Sequence, residues 1–249
     1  MKHERYVYAQ LPRTGLCNML FPWARAELYA RDHSLKILAP QWVKLFRVGP
    51  WLRGEMDKRY YFKQFTNRGY INGIERWFAL HFEQSSIVYF RGMGNWFADI
   101  CGEQKFLASA LRKIASDTIL RVVDSLPEKY VGIHVRRGDF STLGLSKPIE
   151  YYIKGLHRAR EIAGENLPAL VFSDGRNEEL GDLLQEDFVS IMPAGPALQD
   201  MLSLSKSTII VGTDNSTFSG WAAFLGQMPN IWMSKDGHSN IGLGTSYYV

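Results

Sequence analysis

At 249 residues, with 46% hydrophobic and 13% aromatic side chains, the chain can bury one large core or two of about 100–150 residues each, which excludes a disordered or low-complexity protein. The net charge of +4 suits an anionic small molecule, a membrane surface or a nucleic acid, and selects none of them. Two cysteines, Cys17 and Cys101, an opening without an apolar leader and no run near the ~18 apolar residues of a bilayer span lead to the expectation of a soluble, cytoplasmic protein.

In chain order, residues 4–11 (ERYVYAQL) read as a strand, 12–15 as a loop and 18–31 as a helix in which Pro22 belongs to the first turn or so. Residues 41–84 are rich in Trp, Tyr, Phe and Arg without clear periodicity and predict no definite elements. A strand at 87–90 leads to a glycine turn at 92–94, and 103–126 reads as one long amphipathic helix stopped by Pro127. Beyond it the pattern alternates: strand 130–135, helix 148–163, strand 169–172, helix 177–185, strand 188–192, helix 199–206, strand 208–212, helix 217–226 and a strand at 230–233. Strands alternating with helices predict a parallel, doubly wound sheet, with a domain boundary near residue 127.

In such a sheet, ligands sit outside the carboxyl ends of the strands. Three of these ends carry polar residues: Arg136, Arg137 and Asp139 after the first, Ser173 and Asp174 after the second, and Thr213 to Thr217 after the fourth. One rim therefore collects two guanidiniums, several hydroxyls and a helix N-terminus, which are the parts of a phosphate site. In GIHVRRGDF (132–140) the adjacent arginines either face water or clamp a diphosphate, since guanidinium forks match phosphate oxygens. His134 could instead shape the loop by hydrogen bonding. In GTDNSTFSGWAAFLG (212–226) Ser216 or Thr217 caps a helix, a role that a phosphate at the same N-terminus could share. TGLCNMLF (14–21) is another loop-to-helix turn and lacks the glycines and lysine of a P-loop.

Other chemistries find no support. GMGNWF (92–97) lacks the third glycine of a dinucleotide fingerprint, no HExxH or metal-spaced cysteine pair occurs, and no G-x-S-x-G elbow is present. Without a D-x-D pair, the expectation is a site with no metal, in which protein cations neutralise phosphate. The basic residues are scattered rather than striped, which disfavours nucleic acid.

Taken together, these segments resemble a known family. GIHVRRGDF is similar to the H-x-R-R-x-D motif of the GDP-fucose-dependent α-1,2-, α-1,6- and protein-O-fucosyltransferases. GLCNMLFPWARA resembles the G-L-G-N-Q-x-F-Q-Y-A opening of the α-1,2 branch, and YFRGMGNWFADI its glycine-aromatic segment. PIEYYIKGL, LVFSDG and LQDMLSLSKSTIIVGTDNSTFSGWAAFLG match the remaining motifs in order.

The resemblance implies a GT-B-like α/β fold with two Rossmann-like domains facing a cleft, 1–127 on the acceptor side and 128–249 binding the GDP-sugar. It implies inverting, metal-independent transfer of fucose from GDP-fucose, as donor substrate and without a further cofactor, to an oligosaccharide or lipid-linked glycan, α-1,2-linked. No nucleic-acid partner is implied, and the basic surface is compatible with resting on anionic lipid. Residue by residue, Arg136 would contact the donor diphosphate, with Arg137 and His134 supporting the clamp. Asp139 would orient the arginines or the acceptor and is the nearest carboxylate for a general base, with Glu27 and Asp99 as alternatives. Asp200 would bind the guanine edge, Asp174 would lie near the guanosine, Ser216 and Thr217 would bond the phosphates, and Asn18 would lie where donor sugar and acceptor meet. Three departures stand out: Cys17 for a glycine, Met19 for a glutamine, and Gly175 in S-D-G for the second aspartate of S-D-D. Use of another GDP-sugar, or nucleotide-sugar binding without catalysis, are the alternatives.

Overall fold

The computed structural model describes residues 5–42, 61–235 and 243–249. Much of the aromatic stretch without expected elements, 43–60, lies outside the described residues. The chain forms two compact α/β units, one of residues 5–42 and 61–116 and one of 117–235 and 243–249. Both sheets are parallel throughout, as expected of the α/β fold class.

In the N-terminal unit, β1 (Tyr6–Gln10) lies between β2 (Lys36–Leu38) and β3 (Ile87–Arg91). Period-two alternation gives β1 two apolar faces, and all but its last residue are buried. Tyr6 and Tyr8 pack with Ala79 and Leu80 of α2 (Gly73–Phe82), while α1 (Leu16–His33) packs on the same sheet and buries Leu20, Phe21, Trp23 and Ala24. Helix α1 begins ahead of the expected start, so Pro22 falls inside it, beyond the first turn. The proline ring removes the helical hydrogen bond that would end on the Asn18 carbonyl, and burial around it keeps the helix going. It stops at Ser34, which adopts the left-handed conformation with φ 55°.

The helix expected over 103–126 is two helices, α3 (Gln104–Ile114) and α4 (Asp117–Ser125). Ala115 is extended and forms an antiparallel bridge with Phe65, flanked by the Thr66 amide on Ile114 O (2.7 Å) and the Ser116 amide on Gln64 O (2.9 Å). Both helices have a one-sided apolar face of their own (Leu107, Leu111 and Ile114, then Ile119 and Val123). Helix α4 goes with the second unit, where the Lys206 ammonium donates to Val123 O at 3.2 Å and Leu126 O at 3.0 Å. The units therefore divide between Ser116 and Asp117 rather than at residue 127.

The C-terminal unit continues with β4 (Val131–Val135), α5 (Gly138–Thr142), α6 (Ile149–Ala163), β5 (Ala169–Ser173), β6 (Val189–Ile191), α7 (Ala197–Lys206), β7 (Ile209–Val211), α8 (Thr217–Gly226), β8 (Asn230–Trp232) and β9 (Ser246–Tyr248). Its strand order β6-β5-β4-β7-β8-β9 is the 3-2-1-4-5-6 order of doubly wound nucleotide-binding folds, whose direction reverses between the first and fourth strands. Here that switch point lies between β4 and β7. Every residue of β4 is buried, as a central parallel strand requires. Val131, Ile133 and Val135 share a core with Tyr151, Tyr152, Leu156 and Ala159 of α6. The helix expected at 177–185 is two 3₁₀ turns, Asn177–Glu179 and Gly181–Gln185. Among the described residues, no helix is long and apolar enough to cross a membrane.

Candidate functional site

The carboxyl ends of β4 and β7 meet through one hydroxyl. Thr213, fully buried, donates its Oγ1 hydrogen to His134 O at 2.7 Å and accepts the Arg136 amide at 3.2 Å. Its remaining lone pair receives the Tyr152 hydroxyl at 2.8 Å. One donor and two acceptor sites are thus filled, the full capacity of a threonine hydroxyl. Tyr151, next to Tyr152 in the first turn of α6, donates its hydroxyl to Gly212 O at 2.6 Å. The strand end that delivers the arginines is therefore tied to the turn that opens α8.

His134 alternates to the face opposite the α6 core and is 5% exposed. Its Nδ1 lies 2.6 Å from Ser219 Oγ, and its ring stacks on Phe218 at 4.8 Å. Ser219 Oγ also accepts the Thr213 amide at 3.0 Å. The tautomer that satisfies both groups has the Ser219 hydroxyl donating to Nδ1, with the proton on Nε2. Burial, and secondarily the Arg136 guanidinium, push the His134 pKa down to about 3. The folded state therefore refuses a proton that the unfolded chain accepts below about pH 6.5, and stability contributed at neutral pH is lost as pH falls from there toward 3. His134→Gln, keeping a polar group but no titration, is expected to flatten the acid side of a Tm-against-pH curve. An unchanged curve would show that His134 does not carry this dependence.

Arg136 and Arg137 diverge. The Arg136 Nη1 lies 2.7 Å from Asp174 Oδ2, with the side chains 27% and 22% exposed. The other carboxylate oxygen, Asp174 Oδ1, accepts the Arg137 amide at 2.7 Å. Asp174 thus holds the backbone of one arginine and the side chain of the other, rather than standing free at the rim. Gly138 makes this possible: a Cβ there would collide with Asp174 Oδ2. Arg137 turns its guanidinium onto carbonyls, Nη1 to Lys147 O at 2.7 Å and Nη2 to Glu179 O at 3.4 Å. Gly175 is explained by the same packing, because a Cβ at that position would stand 2.6 Å from Arg137 Cγ. In this chain the residue after Asp174 is small because Arg137 lies against it.

The other expected residues are placed as follows. Ser216 is the N-cap of α8 by position and buried, but its hydroxyl makes no capping bond; Thr217 is the first helical residue and half-buried. Asp200 lies in the first turn of α7, with Gly195 close to its Oδ1. Asp139 belongs to α5, and its side chain lies outside the described residues. Asn18 belongs to the N-terminal unit, where its Oδ1 is buried without a hydrogen-bond partner. The flanking departures, Cys17 and Met19, are 4% and 1% exposed and belong to the core. Glu27 is buried and accepts the Tyr70 hydroxyl, which in turn accepts Trp23 Nε1 at 2.8 Å; burial raises its carboxyl pKa. Asp99 closes a turn on the Asn95 amide at 2.9 Å. Neither of these last two carboxylates stands clear of its own unit's hydrogen bonding.

Thr213 and Asp214 stand on the expected strand-end rim and Tyr152 within PIEYYIKGL, but the motifs give them no role, and Lys147 belongs to none of them. Their signal was positional: a tyrosine pair opening the helix after the arginine loop, and a strand ending in GTD, both facing one sheet edge.

No family model and no curated protein sequence matches the chain. Solved structures do. NodZ α-1,6-fucosyltransferase co-crystallised with GDP superposes with a TM-score of 0.62 at 17% identity, over 94% of this chain and 97% of that one. Selenomethionine fucosyltransferase NodZ from Bradyrhizobium gives 0.61 at 16% identity, over 94% and 96%. POFUT1 in complex with GDP gives 0.56 at 12% identity, over 93% and 98%. At these identities the likeness is one of fold: the chain has the parallel α/β, GT-B-like architecture of fucosyltransferase structures.

Proposed function

We propose that the chain is an inverting, metal-independent glycosyltransferase that moves fucose from GDP-fucose to a glycan hydroxyl, α-1,2-linked. The observation that carries this reading is the Asp174-held arginine pair at the β4–β7 switch point, beside the N-terminus of α8. That is where a doubly wound sheet binds nucleotides, and the surrounding residues match the fucosyltransferase motifs. The NodZ structures co-crystallised with GDP and soaked with GDP-fucose support the same donor class.

In this reading the C-terminal unit takes the donor and the N-terminal unit the acceptor. Arg136 meets the β-phosphate with its guanidinium, Ser216 and Thr217 hydrogen-bond phosphate oxygens, and Arg137 and His134 fix the surrounding backbone. Asp200 and Asp174 lie on the nucleoside side. The bond from the fucose C1 to the phosphate oxygen breaks as the acceptor oxygen approaches the opposite face, through an oxocarbenium-like state. Charge accumulates on the departing β-phosphate, and fixed cations aimed there lower the barrier. Asp139 receives the acceptor proton. The acceptor is an oligosaccharide or a lipid-linked glycan, the latter reached at a membrane surface by a chain of net charge +4.

Calorimetric titration with GDP-fucose, GDP-mannose and a UDP-sugar, each in the presence of chelator, tests the reading. Binding of GDP-fucose in preference to the others is expected. Binding of the UDP-sugar alone, or binding only once a divalent ion is restored, would end it.

A further inference from the structure

We propose that Lys147 is a positioning residue of the phosphate site, its ammonium on Asp214 and its carbonyl under Arg137 fastening the β4–α6 loop to the β7–α8 turn. This rests on the functional reading above and adds to it a residue that no motif assigns.

Asp214 follows Thr213 at the carboxyl end of β7, and its side chain is 0% exposed. A carboxylate buried to that degree is costly unless it is hydrogen-bonded and faced by a cation. Its Oδ1 accepts the Met233 amide at 3.1 Å, its Oδ2 accepts the Ser234 hydroxyl at 3.3 Å, and Lys147 Nζ stands 3.4 Å from Oδ2. Through these contacts Asp214 joins the β7–α8 turn to the end of β8.

Lys147 reaches it from the other side of the switch point. It sits just before Pro148, the N-cap of α6, whose ring holds φ at −62°. The next turn supplies Tyr151 and Tyr152, both bonded to the same stretch, at Gly212 O and Thr213 Oγ1. The loop end is therefore rigid where Lys147 leaves it. From the same residue the carbonyl oxygen accepts Arg137 Nη1 at 2.7 Å. Arg137 Nε is buried with no hydrogen-bond partner, so its fork is held at the nitrogens that meet carbonyls. One residue thus sets two parts of the anion-facing rim: the arginine loop through its backbone, and the turn into α8 through its ammonium.

Removing the ammonium takes from the buried Asp214 carboxylate a cation that faces it across the switch point, and the turn shifts. The loss should fall on ligands that engage the phosphate end most. In the full chain, Lys147→Met is expected to weaken GDP binding by about tenfold or more, since small misplacements of a binding group cost that much. GMP, lacking the β-phosphate, should lose less. Lys147→Arg should restore GDP affinity, and so should Asp214→Asn added to Lys147→Met, because a neutral amide needs no cation. That double variant also keeps the test open if Lys147→Met fails to fold.

GDP binding by Lys147→Met equal to that of the unaltered chain would overturn the positioning role alone. So would equal losses for GDP and GMP, or a double variant no better than the single one. Failure of the unaltered chain to bind GDP would overturn the functional reading and this proposal with it.

Discussion

Arg136→Ala is expected to lose roughly 10²–10³ of the turnover of GDP-fucose, equivalent to about 3–4 kcal/mol of transition-state stabilisation, while far-ultraviolet circular dichroism and Tm stay close to those of the unaltered chain. The fold should tolerate the change because the Arg136 side chain and its Asp174 partner are partly exposed, 27% and 22%, and a single ion pair at such a solvent-reachable site contributes little to stability. The site should not tolerate it. Asp174 fixes Nη1 at 2.7 Å, which orients the planar guanidinium that the proposed function sets against a phosphate. Arg136→Lys is expected to fail almost as badly, because an ammonium can hold Asp174 or meet the phosphate but has no fork with which to do both. GDP release from GDP-fucose with glycan acceptors measures the loss. Near-normal turnover in the lysine variant would refute the clamp geometry.

The second large effect is on stability. Thr213→Val keeps the shape of the side chain and deletes the hydroxyl that His134 O, the Arg136 amide and the Tyr152 hydroxyl share. All three lie at the buried junction of β4 and β7, where unmade hydrogen bonds cost about 1–3 kcal/mol apiece. Partial rehydration lowers the sum, so a loss of about 2–5 kcal/mol is expected in a urea or thermal unfolding experiment. Thr213→Ser should recover most of it. The same substitution frees the Arg136 backbone, so donor affinity should fall along with stability. A valine variant as stable as the unaltered chain would mean that the junction is held by packing alone.

Much of the C-terminal unit could be read from the chain. The strands at 131–135, 169–173 and 209–211 and the helices at 149–163 and 217–226 follow from apolar runs separated by glycine, proline and small polar residues. The rim of Arg136, Arg137, Asp174 and the α8 N-terminus follows from their places just beyond strand ends. Where the reading failed, local pattern was overruled from a distance. The break at Ala115 is made by a bridge to Phe65, fifty residues earlier in the chain. Pro22 sits inside α1 because burial there outweighs a missing hydrogen bond. Residues 177–185 carry helix-forming side chains, but Gly181 at φ 30° splits them into 3₁₀ turns.

The sequence alone determined the alternation of strands and helices, the absence of a disulfide framework, and which charged residues stand at strand ends, since each of these depends only on neighbours along the chain. Tertiary structure decided what those charges do. Asp174 is spent on holding two arginines, Arg137 on carbonyls, His134 on Ser219, and Lys147 on a carboxylate sixty-seven positions away, because each pairing depends on which strands lie side by side. Strand order arises from the packing of whole layers, and no local window of residues contains it.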